Sequence, residues 1–116
     1  MEDKILVTLN TDANHTFESE ETVIGREGDD GTTLMEITVP EKLRSFSVFL
    51  EFEKPNGEKV RTDELDIANG TVVYCVVQDL LTHYGEIKVQ AVLEKEGGKT
   101  WKSSKKKYNI LKSIND

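Results

Sequence analysis

At 116 residues the chain is sized for one domain with one core, long enough to bury about two-thirds of the surface its unfolded form would expose. Its 22 acidic and 15 basic side chains give a net charge of -7 and a pI of 4.9, which argues against general binding to nucleic acid or an anionic membrane, since both need a basic footprint. The opening Met1-Glu2-Asp3-Lys4 lacks the basic and apolar leader of a signal peptide, and no apolar run nears the ~20 residues of a membrane span. The chain is therefore expected to be made and kept in a cytoplasm unless it leaves by lysis.

Ile5, Val7 and Leu9 alternate with Lys4, Leu6 and Thr8, predicting a first strand. The stretch 11–31 is mostly polar, broken by Asn14, Gly25, Gly28 and Gly31, and reads as a loop around a short edge strand at Thr22-Val23-Ile24. Met35, Ile37 and Val39 share a face in a strand that Pro40 ends. Phe46, Val48, Leu50 and Phe52 alternate with Ser47, Phe49, Glu51 and Glu53 in the clearest half-buried strand of the chain.

Lys54-Pro55-Asn56-Gly57 then predicts a tight hairpin, with positive φ at Asn56 and Gly57, that folds 58–67 back alongside. Val60 lies on the opposite parity to Leu65 and Ile67, which predicts a bulge between them. After a turn at Asn69-Gly70, positions 72–77 are apolar throughout, as in a strand covered on both faces. The segment 79–84 is the one place for helix: Leu80, Leu81 and Tyr84 are spaced i, i+1, i+4, and Gly85 stops a single turn. Ile87, Val89, Ala91 and Leu93 resume alternation up to a Gly97-Gly98 hairpin. The last segment, 99–110, carries Trp101, Tyr108 and Ile110 with a Ser-Ser-Lys-Lys-Lys interruption.

About eight short strands cut by regular turn signals predict an all-β, two-sheet antiparallel immunoglobulin-like β-sandwich with one short helical turn, filling 1–116 as a single domain. The expected core is Ile5, Val7, Met35, Ile37, Val39, Phe46, Val48, Leu50, Phe52, Val72, Tyr74, Val76, Leu80, Tyr84, Ile87, Val89, Ala91, Leu93 and Trp101. Tyr84, just before Gly85, stands where a tyrosine closes the crossover between sheets in such sandwiches.

No catalytic residue, metal ligand set or cofactor site is expected. Cys75 is the only cysteine, which excludes a disulfide framework within the chain, and its apolar setting predicts a buried structural thiol. His15 and His83 are isolated, and no Gly-x-Ser-x-Gly elbow nominates a nucleophile. The loop Glu27-Gly28-Asp29-Asp30-Gly31 is rich in oxygens but lacks the spacing of a calcium loop. Charge is uneven: residues 1–36 hold ten acids against Lys4 and Arg26, while residues 97–108 hold five lysines and no acid. That pattern reads as complementarity inside one molecule, or head to tail between copies. Leu6, Leu34, Val73, Cys75 and Val77 fall on the outward parity of one sheet, and together they would form an apolar patch suited to an interface.

Lys4-Ile5-Leu6-Val7-Thr8-Leu9-Asn10-Thr11, the exit Val39-Pro40-Glu41, the strand Phe49-Leu50-Glu51-Phe52 ahead of a glycine hairpin, and the run from Leu80 to Ala91 together resemble the N-terminal β-sandwich domain of baseplate upper proteins and related tail components of phages and prophages of Gram-positive bacteria. The resemblance implies a non-enzymatic virion structural domain, assembled in the bacterial cytoplasm and packing against copies of itself or other tail or baseplate proteins. In that family, helical or fibre-forming segments and a receptor-binding module follow such a domain, so the chain is expected to be an N-terminal module. The alternative is a carbohydrate-binding or adhesion sandwich using Trp101, Tyr108 or Tyr74 as a stacking platform, which 7% aromatic content disfavours.

Overall fold

The computed structural model describes residues 3–113, which fold into two β-sheets packed face to face. The strands are β1 (Asp3–Leu9), β2 (Phe17–Glu18), β3 (Val23–Arg26), β4 (Thr33–Thr38), β5 (Ser47–Glu53), β6 (Lys59–Arg61), β7 (Thr71–Cys75), β8 (Gly85–Lys95), β9 (Lys99–Lys102) and β10 (Lys106–Leu111). The small sheet runs β2-β1-β4-β7. The large sheet runs β3-β10-β8-β5-β6, with β9 also on β8.

The expected all-β sandwich is present, but it is not wholly antiparallel. β1 lies parallel to β4 and β3 parallel to β10. Period-two patterning fixes which face a residue occupies; it carries no information on strand direction. The two-residue β2 was not foreseen either, because it is too short to show alternation.

The turns divide in an instructive way. At Asn69-Gly70 both residues have positive φ (53° and 76°), and Ala68 and Thr71 exchange both backbone bonds, at 2.9 and 3.0 Å. This is the two-residue turn that matches strand twist. At Asn56-Gly57 only Gly57 (89°) has positive φ. The chain there makes a longer loop, closed by the Lys54 N–H donating to the Glu58 carbonyl at 2.8 Å.

The expected bulge in 58–67 is present. β5 pairs Glu51 with Arg61 and Phe52 with Val60, whereas Val48 pairs with Leu65, one residue out of step. A second register shift separates β9 from β10 at the serine interruption: Val92 faces Lys102, but Val89 faces Lys106. The buried Ser103 hydroxyl bridges the break by accepting the Ala91 N–H at 2.9 Å and donating to the Ser104 carbonyl at 2.8 Å.

Most of the expected core is buried, including Ile5, Val7, Met35, Ile37, Val48, Leu50, Phe52, Val72, Leu80, Ile87, Val89 and Leu93. Phe46 and Tyr74 are only partly buried. Tyr84 is outside the core: it is 55% exposed, with the Lys112 amine 5.6 Å from its ring centre. In place of a helical turn over 79–84 there is a 3-10 turn at Gln78–Leu80, so helical i, i+4 spacing does not apply. Leu80 and Leu81 both turn inward, and Tyr84 faces out. A second 3-10 turn, Glu41–Leu43, follows Pro40 and buries Leu43. Leu9, Phe17, Ile24, Leu81, Tyr108 and Ile110 complete the core beyond what was expected, and Val92 is buried on the outer face of the large sheet, opposite Phe49.

Lys54 continues the inward parity of β5, so its side chain is buried while its Nζ reaches Glu58 Oε1 at 3.2 Å. Removing only the carboxylate leaves a buried ammonium without its partner. Glu58→Ala should therefore lower stability by about 1–2 kcal/mol, and adding Lys54→Met should restore most of it. Urea unfolding of the single and double variants checks this. Equal midpoints for wild type and Glu58→Ala would contradict it.

Candidate interaction surface

Strand register builds the outer face of the small sheet. Across β1, β4 and β7 the side-by-side rows are Lys4, Leu34, Cys75; then Leu6, Glu36, Val73; then Thr8, Thr38, Thr71. The parity assigned to Leu6, Leu34, Val73 and Cys75 holds, and the four share this face. Leu6 (58%), Val73 (57%) and Val77 (43%) are exposed, Cys75 is exposed, and Leu34 is half-buried. Val77 lies beyond the end of β7, where its carbonyl accepts the Leu80 N–H at 3.1 Å.

Two expectations for this region are corrected. β7 is covered on its inner face only, because its even-numbered residues face the core and its odd-numbered ones face out. For the same reason Cys75 is an exposed thiol and not a buried structural one. The patch is also not continuous. Glu36 stands in the centre of the four apolar side chains, with its Oε2 2.8 Å from Lys4 Nζ. Leu6, Leu34 and Val73 thus surround Glu36, whose charge is paired with Lys4 at the end of the first row.

The outer face of the large sheet differs in character. Lys59, Glu53, Lys88 and Lys107 form one row across β6, β5, β8 and β10. Arg61 links Glu51 (3.4 Å) and Glu94 (3.0 Å), and its guanidinium covers the Phe49 ring at 4.2 Å. A shallow depression of about 210 Å³ lies among Glu51, Glu53, Lys59, Arg61, Lys88 and Lys105. Its lining has no serine, threonine, cysteine or histidine.

The acidic and lysine-rich segments adjoin within one molecule. The Ser104 N–H donates to the His15 carbonyl at 2.8 Å, the Phe17 N–H to Ser104 Oγ at 3.1 Å, and Lys106 Nζ to the Ser19 carbonyl at 3.0 Å. These contacts join the two segments through carbonyl and hydroxyl oxygens, and none of them pairs a lysine with a carboxylate.

The aromatic platform of the carbohydrate-binding alternative is absent. Trp101 is buried and stacks on the His15 ring, centroids 4.8 Å apart. Tyr108 is buried, and Tyr74 leans on Phe52 at 5.8 Å. No sugar face could lie flat on any of the three.

Among the described residues no group of three or more His, Cys, Asp or Glu side chains comes together as metal ligands. In the acidic loop, Asp29 Oδ2 accepts the Arg26 N–H at 3.0 Å and Asp30 Oδ1 accepts the Gln78 N–H at 2.9 Å. Both carboxylates already fix the backbone. Calcium is therefore expected to leave the melting temperature unchanged, and a rise of several degrees in a calcium titration would make this loop a cation site.

No family model matches the sequence, and no curated protein matches it. Among solved structures, the fold is similar to that of the N-terminal domain of phage TP901-1 ORF48. The TM-score is 0.55 and the identity 15%, over 97% of this chain and 98% of that one. At this identity the likeness is one of fold: a β-sandwich of the kind a phage protein carries at its N-terminus. No helix among the described residues is long and apolar enough to cross a membrane.

Proposed function

We propose that this domain is a non-enzymatic structural component of a phage or prophage virion, placed in the tail or baseplate and acting through protein–protein packing. The observation that carries the reading is the end-to-end match of the sandwich to the N-terminal domain of a phage protein. The strand and turn motifs of the sequence support it independently through their resemblance to baseplate upper proteins. The packing surface is the outer face of the small sheet, with Leu6, Leu34, Val73, Cys75 and Val77 as the apolar contacts. Its partners are copies of the same chain or neighbouring tail proteins.

Gold-labelled antibody against the domain, applied to purified particles from a strain that encodes it, tests the placement by electron microscopy. Label at the distal tail is the expected result. Particles that contain no such chain by mass spectrometry would contradict it.

A further inference from the structure

We propose that the free edge of β7 is a self-pairing edge, joining the β7 edge of a second copy across a two-fold axis to make one continuous sheet from two small sheets. The inference deepens the reading above and rests on the small sheet being the packing element.

The ends of β7 settle the direction of its backbone groups. The Val39 N–H donates to the Gly70 carbonyl and the Val76 N–H to the Thr33 carbonyl, both at 2.9 Å. In an antiparallel ladder this turns the groups of Val72, Tyr74 and Val76 toward β4, and those of Thr71, Val73 and Cys75 away from it. Ala68 takes both groups of Thr71. The N–H and C=O of Val73 and Cys75 have no partner among the described residues.

Proteins blunt such edges with charges, proline, bulges or very short strands. The other edges here are guarded in this way. β2 has two residues and ends in Glu18, β3 contains Gly25 and Arg26, β6 sets Lys59 and Arg61 around Val60, and β9 carries Lys99 and Lys102. The run from Thr71 to Val77 contains no charge, no proline and no glycine.

The size of the open window identifies the occupant. It is closed on one side by the Ala68–Thr71 hairpin and on the other by the 3-10 turn at Gln78–Leu80, so a long strand could not extend its ladder along it. What remains, Val73 and Cys75, is symmetric about Tyr74. A two-fold axis there sets Val73 of each copy against Cys75 of the other, and the donors and acceptors of the two windows satisfy one another in four bonds. Val73 and Cys75 carry no charge, and Glu36, beside Val73 on the outer face, is paired with Lys4 at 2.8 Å. The pairing uses up the edge, so it closes as a dimer and does not propagate. It also makes the outer faces of the two copies continuous.

Cysteine trapping of the full chain tests register and occupant together. Under mild oxidation Val73→Cys, which retains Cys75, should give a covalent dimer on a non-reducing gel. Wild type and the Val73→Cys/Cys75→Ser variant should not, because in this register residue 73 faces residue 75 and never itself. Val73→Pro removes only an outward N–H, so by sedimentation it should be a folded monomer where wild type is a dimer. Wild type that stays monomeric at its highest soluble concentration would overturn the proposal, as would crosslinking of Val73→Cys no faster than wild type. Association that survives Val73→Pro but is lost in Leu6→Asp would overturn the edge and leave the packing face standing.

Discussion

Replacing Phe52 by alanine is expected to lower the unfolding free energy by about 3–5 kcal/mol, the usual range for emptying a large buried aromatic site. Phe52 is 1% exposed and sits on β5, flanked by Val60 of β6 and Val89 of β8. Its ring meets Tyr74 of the opposite sheet at 5.8 Å, so it ties the two layers together at the edge where β7 lies. Leu50→Ala, one inward position earlier on the same strand, should cost roughly 2–5 kcal/mol. Phe49, just before Leu50 on the same strand, faces outward under Arg61, and its truncation should cost clearly less than either. Urea unfolding of the three variants decides the assignment. Equal midpoints for Phe49→Ala and Phe52→Ala would show that the inward and outward faces of β5 had been exchanged.

The second large effect is alkaline. Tyr108 is buried, and its hydroxyl makes no hydrogen bond among the described residues. Burial pushes its phenol up to about 12, with Glu21 reinforcing the shift and the Ser19 hydroxyl, outside good bonding geometry, opposing it. Burial, with Cys75 reinforcing it, also raises Tyr74. An unfolded tyrosine loses its proton near pH 10, while folded Tyr108 keeps it to about 12. The folded state therefore holds more protons across this window. The contribution is fully present below pH 10 and is lost as pH rises toward 12, by roughly 2–3 kcal/mol.

Tyr108→Phe removes the titrating group and the unpartnered hydroxyl together. It should be about 1 kcal/mol more stable than wild type at neutral pH, with a shallower alkaline decline. Unfolding followed from pH 8 to 12 by far-ultraviolet circular dichroism checks both. A Tyr108→Phe variant that is less stable at pH 8 would mean the hydroxyl has a partner that matters.

These two cases also mark what the sequence reveals. β5 was legible because Val48, Leu50 and Phe52 hold one parity while Ser47, Glu51 and Glu53 mark the other, with Phe49 the one apolar residue facing out. Tyr84 misled because i, i+4 spacing next to glycine imitates a helix end, whereas a 3-10 turn had already placed Leu80 and Leu81 inside. β7 is the most telling element. Its unbroken apolar run suggested cover on both faces, and within this chain it has cover on one; the open face and open edge are where a partner strand or domain would complete the pattern.

The parity of Leu6, Leu34, Val73 and Cys75 was readable from alternation alone. That Glu36 stands between Leu6 and Val73 was not, since its neighbours depend on the direction and register of β1 and β7 against β4, and periodicity encodes neither. The parallel pairs, the two-residue β2 and the register shift at Ser103 all depend on contacts far apart in sequence.

The central claim is that the outer face of the small sheet is an association surface, and sedimentation equilibrium of wild type beside Val73→Asp tests it most directly. The substitution leaves the inward parity of β7 untouched, so circular dichroism should show both proteins folded. In an interface, the added carboxylate would be desolvated without a partner. The account predicts concentration-dependent association of wild type and a monomeric variant. Association of equal strength in the two proteins, both folded, would contradict it.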